Sequence, residues 1–118
     1  MTNAPIIRTA IPLQRHQLGN YQVTLLGDIE SGDGIQYRYI LAFVEAGMNR
    51  PALYLCCERH RPGSGEEGAY RMRLVNAAMS EVMGSSDAWK EAEAFLTEAI
   101  DIGRQVLGLT AESLSPLG

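Results

Sequence analysis

The sequence predicts an α+β fold, an antiparallel β-meander of four to five strands packed on one long C-terminal helix. Three observations carry this. Short runs rich in β-branched and aromatic residues alternate in polarity, turns bearing glycine or proline separate them, and a C-terminal stretch repeats its apolar residues at helical spacing.

Residues 6–13 read as an edge strand, because Pro5 and Pro12 have no N–H to give a ladder. Residues 21–30 form the second strand, with Tyr21, Val23 and Leu25 on one face. Ser31-Gly32-Asp33-Gly34 follows as a hairpin turn, since Gly and Asp tolerate positive φ. In the third strand, 35–45, the alternation puts Ile35, Tyr37, Tyr39, Leu41 and Phe43 on one face. Gly47 to Pro51 turns the chain into 52–60, where Leu53, Leu55 and Cys57 oppose Tyr54, Cys56, Glu58 and His60. The glycine-rich piece 61–68 reads as a longer hairpin loop leading to 69–76, which groups Tyr70, Met72 and Leu74. Residues 77–84 support two readings. Met72, Val75, Met79, Val82 and Met83 recur at helical spacing, whereas YRMRLV is a strand pattern ending in an irregular turn or short helix.

The helix is expected over 86–107, with Ser85 or Ser86 as N-cap and Asp87, Glu91 and Glu93 near the positive dipole end. Gly108 stops it, with Arg104 in the last turn. Nine residues, including Trp89, Phe95, Leu96, Ile100 and Val106, fall in an arc of about 140°, and the helix would run about 31 Å. The centre of that arc is small (Ala92, Ala99, Gly103). This suits close approach to sheet residues such as Tyr39 and Phe43, or alternatively to a helix of a second subunit.

At 118 residues the chain fits one domain with one core. Its 46% hydrophobic and 20% charged residues are an ordinary globular balance. A net charge of −4 argues against non-specific binding to nucleic acid or anionic membranes. The longest apolar runs, 39–44 and 52–57, are far shorter than the roughly 20 residues of a membrane span. The N-terminus lacks a signal-peptide pattern. Cys56 and Cys57 are adjacent and would point to opposite faces of a strand, so no disulfide framework exists and a reducing cytoplasm is the simplest compartment.

A single helix covers one face of a sheet, yet the central strands are apolar on both. The residues assigned to a second contact are Ile40, Ala42, Val44, Leu53 and Leu55. Their cover could be the 77–84 segment, a strongly curled sheet, or another subunit, and the expectation is a homodimer.

Chemistry is sparse. Cys56, Glu58 and His60 are metal-ligand types on one strand face, but the other histidine, His16, is read as lying in a distant loop. No metal and no cofactor are therefore expected. A nucleophilic cysteine needs an electropositive, partly exposed setting, and LYLCC reads as a central strand. Arg59, Arg61, Arg71 and Arg73 make the hairpin the most basic place in an acidic chain, able to hold a carboxylate or phosphate. Alternatively they are surface arginines paired with Glu58, Glu66 and Glu67. The 63–68 loop lacks the Gly-Lys-Ser/Thr ending of a phosphate loop. Tyr21, Tyr37, Tyr39, Tyr54 and Phe43 read as core before pocket. The expected function is a non-enzymatic protein-interaction module (adaptor, chaperone-like or inhibitor) acting as a homodimer. The alternative is an anionic-ligand binder or minor enzyme whose site combines Arg59, Arg71, Arg73, Glu58, His60 and Cys56.

Overall fold

The computed structural model describes residues 4–59 and 69–117; His60 and the predicted 61–68 loop lie outside them. The chain forms β1 (Ile7–Leu18), β2 (Tyr21–Ser31), β3 (Tyr37–Glu45), β4 (Leu53–Arg59), β5 (Tyr70–Val75) and β6 (Ser80–Ser86). A 3₁₀ turn (Ala88–Lys90), helix α1 (Ala92–Leu107) and β7 (Leu114–Pro116) complete it. All strands pair antiparallel in one sheet, in the order β6-β5-β4-β3-β2-β1-β7. The predicted meander on a C-terminal helix is present, with seven strands rather than four to five.

Two differences in element assignment have local causes. Residues 77–84 lie in the β5–β6 hairpin because Asn76 makes a turn. Its Oδ1 accepts the N–H groups of Ala78 and Met79 at 2.8 and 2.9 Å, and its own N–H donates to the Met79 carbonyl. The helix begins at Ala92 because its predicted caps are engaged elsewhere. Ser86 Oγ accepts from the Ala88 N–H, Asp87 Oδ1 accepts from the Ala69 N–H, and Glu91 is extended. The 3₁₀ turn docks on the sheet through its carbonyls. Tyr39 Oη and both Arg38 Nε and an Arg38 terminal amine donate to the Lys90 carbonyl, burying Trp89 edge-on to Phe95. The 16-residue helix is about 24 Å long and ends as expected at left-handed Gly108, whose neighbour Leu109 donates to the Arg104 carbonyl.

The main core lies under α1. Val23, Leu25, Tyr39, Leu41, Phe43, Leu53, Leu55, Cys57, Met72 and Leu74 meet Phe95, Leu96, Ala99 and Ile100. The small centre of the helix works as predicted, since a Cβ on Gly103 would collide with the Phe43 ring. Leu53 and Leu55 therefore face the helix, while Ile40 and Ala42 face away from it. The five residues assigned to a second contact are not on one surface.

The opposite face carries its own cluster, Ile40, Cys56 and Val75, covered by Ile7, Leu26, Ile29, Tyr37 and Tyr54. Two backbone irregularities produce it. An extra residue in β3, Arg38, shifts the register between Tyr37 and Tyr39 and moves Tyr37 to the Glu58 face, against the simple alternation. The β2–β3 pairing ends at Leu26↔Ile40. Beyond it the β1–β2 ribbon bends, with two of the three register shifts in the β1–β2 pairing and a positive φ of 46° at Asp28. Asp33 ties the bend down by accepting from the Ile6 and Ile35 N–H groups and from Tyr37 Oη at 2.7 Å. Of the three covers expected for the second face, the curled sheet is the one that covers this cluster.

Candidate functional site

Of the six residues read as a ligand site from the sequence, Cys56, Glu58, Arg71 and Arg73 share one face of the sheet, Arg59 lies on the other, and His60 lies outside the described residues. Glu58 is 1% exposed and sits between two arginines on β5, with Arg71 Nε at 2.8 Å and Arg73 Nε at 3.1 Å. Arg73 also donates to Ser80 Oγ on β6. Each arginine nitrogen named here is committed to an acceptor within the fold, so the cluster holds three strands together. Removing the carboxylate would take one charged acceptor from each guanidinium group, and losing two charge-assisted hydrogen bonds is worth about 3–5 kcal/mol. Arg59 pairs with Tyr70 and lies toward the helix side, opposite Arg71 and Arg73.

Beside this cluster is a cavity of about 270 Å³, lined in part by Asp33, Tyr37, Cys56, Glu58, Arg73 and Ser80. Its thiol is not activated. Burial, reinforced by the Glu58 carboxylate, pushes Cys56 far above its ordinary value despite Arg73. Burial likewise pushes Cys57 up to about 12. A nucleophilic cysteine needs the opposite shift. Burial also raises Tyr37, helped by its bond to Asp33. Asp33 feels a raising effect of burial, but the hydrogen bonds from Tyr37, Ile6, Ile35 and Ser31 hold it below its ordinary value. Among the described residues, no group of three or more His, Cys, Asp or Glu side chains is arranged to hold a metal ion.

Sequence reasoning missed a second, larger depression. A groove of about 560 Å³ runs between α1 and the β1–β7 edge. Leu96, Ile100 and Arg104 form one helical row along it, and Glu93, Thr97 and Asp101 the next, with Gln14, His16 and Leu114 on the strands. Gln14 Nε2 donates to Glu93 Oε1 at 2.9 Å, and His16 Nε2 lies 3.0 Å from Gln14 Oε1. Among the described residues, His16 Nδ1 and Arg104 Nε have no hydrogen-bond partner. The available signal was the alternation Gln14, His16, Leu18 running on from Pro12 as a strand.

The third feature is an open strand edge. Among the described residues no strand pairs with the outer side of β6. Met79, Val82 and Met83 are each about two-fifths exposed, and Ser80–Ser86 contains no Lys, Arg or Pro. No helix is long and apolar enough to cross a membrane.

Comparison of the chain with protein-family models, with curated proteins and with solved structures finds no match in any of the three.

Proposed function

We propose that the chain is a non-enzymatic protein-interaction module that self-associates as a homodimer, using β6 as its contact strand. The observation that carries this reading is the open β6 edge with its exposed Met79, Val82 and Met83. An unpaired edge offers a row of N–H and C=O groups to another strand, and edges that avoid this carry lysine, proline or a covering element. A two-fold pairing of β6 with β6 of a second copy satisfies those groups and buries the methionines and valine. Each β6 strand carries a single charge, Glu81, so the contact does not demand opposite charges from its partner. Cys56 and Cys57, both free and buried, support a reducing, cytoplasmic setting.

Light scattering across a concentration series tests the proposal. The expected mass is that of a dimer at micromolar concentration, falling to that of a monomer when Met83→Lys places a charge on the edge. A monomer at every concentration would end it.

A further inference from the structure

We propose that Met79 and Met83 form a peroxide-sensitive modification site, and that their oxidation to the sulfoxide dissociates the dimer. This rests on the association through β6 and adds the condition under which that contact opens.

Sulfur is divided between the interior and the surface. Among the described residues, Met72, Cys56 and Cys57 are at most 1% exposed, whereas Met48, Met79 and Met83 are 60%, 40% and 42% exposed. The cysteines are shielded chemically as well. Peroxide attacks the thiolate, and burial pushes both thiols up, away from that form at neutral pH. A thioether has no proton to lose, so its oxidation needs only access. The exposed methionines are therefore where a peroxide acts first.

Their positions in the fold differ. Met48 lies in the turn after β3, where its N–H donates to the Glu45 carbonyl. Met79 closes the β5–β6 turn, its carbonyl accepting from the Asn76 N–H. Met83 stands in β6 between Val82 and Gly84, at the register shift of that strand against β5. Two of the three exposed thioethers thus lie at the open edge and one lies away from it.

In the reaction the thioether sulfur attacks one oxygen of hydrogen peroxide. An S–O bond forms as the O–O bond breaks, and water leaves. The sulfur is oxidised and the peroxide reduced. A flexible apolar side chain becomes a polar one with a strong acceptor. Pairing β6 with β6 would bury these acceptors without donors, which is costly, while the separate chain leaves them in water. The dimer shields the sulfurs, so peroxide acts on the dissociated fraction and holds it there by mass action.

The test treats the full chain with hydrogen peroxide and follows it by peptide mass spectrometry and light scattering at micromolar concentration. Met48, Met79 and Met83 should gain oxygen before Met72, Cys56 and Cys57, and the dimer Kd should rise at least about tenfold. Methionine sulfoxide reductases of both stereospecificities should restore the dimer. Met48→Leu should respond as the parent chain does, and the double variant Met79→Leu, Met83→Leu should stay dimeric in peroxide. A dimer that persists with both residues oxidised overturns the proposal, as does a double variant that dissociates like the parent. Oxygen appearing first on the cysteines, or loss of the folded far-UV circular dichroism in step with the dimer, also overturns it. A chain that is monomeric before any peroxide is added removes the β6 association itself, and this separate failure is read from the untreated sample.

Discussion

The two edges of the sheet present similar side chains and different backbones. β1 exposes Ile11 and Leu13, and β6 exposes Val82 and Met83, so apolar exposure does not separate them. The ladder does. β1 contains Pro12, has three register shifts, and is capped at its end by β7 and by the Leu117 N–H bonding to the Arg15 carbonyl. β6 has one register shift, no proline and no strand beyond it among the described residues. One edge is broken and partly covered, while the other is continuous enough to pair. An exposed apolar residue becomes a contact only where the backbone beside it can also be satisfied.

The largest effect should come from the support beneath β6. Glu58→Ala removes the shared acceptor of Arg71 and Arg73, and through Arg73 loosens the link to Ser80. Urea denaturation should show a loss of about 3–5 kcal/mol. Dimerisation should weaken with it, because β6 becomes as irregular as β1.

Gly103→Val should cost about 1–3 kcal/mol by forcing the helix off Phe43. Its readout is the thermal midpoint, and because the helix sits over the central strands, association through β6 should persist in the folded fraction. Loss of association without loss of stability would show that the helix, not the edge, makes the contact.

The pH response belongs to the bent β1–β2 ribbon. Asp33 is held below its ordinary value, so its contribution is present above the unfolded value of about 3.9 and disappears as pH falls through the folded one. Asp33→Asn should flatten that part of the acid limb in a stability–pH profile while leaving the dimer mass at neutral pH unchanged. An unaltered acid limb would remove Asp33 from the account.

The smallest change in stability should accompany single charges placed on the edges, within about 0.5 kcal/mol for either. Met83→Lys should nevertheless abolish the dimer, and Ile11→Lys should leave it intact. Light scattering on the pair distinguishes edges that differ only in backbone.

How much of this was readable from the sequence follows the same division. Alternation found the helix-facing residues of β2 to β5, and the small centre of the helix foretold Gly103 against Phe43, because side-chain period and size are local properties. The bulge at Arg38 that turns Tyr37 over leaves no mark in the pattern. Nor does the bend beyond Leu26, so the cover of the second face remained open between three choices. At 77–84 a helical spacing of Met and Val competed with one asparagine, and the Asn76 turn prevailed. Glu58 with Arg71 and Arg73 was legible as a group. The placement of Arg59 on the other face depends on register, and the groove around His16 depends on where a helix crosses a distant strand.

The most direct measurement is hydrogen exchange at individual amides of β6 and β1 as protein concentration is raised through the micromolar range. The account predicts that the outward-facing amides of β6 become protected as concentration rises, while the free amides of β1 exchange at a constant rate. Protection that stays flat in β6, or that grows in β1 instead, would contradict it.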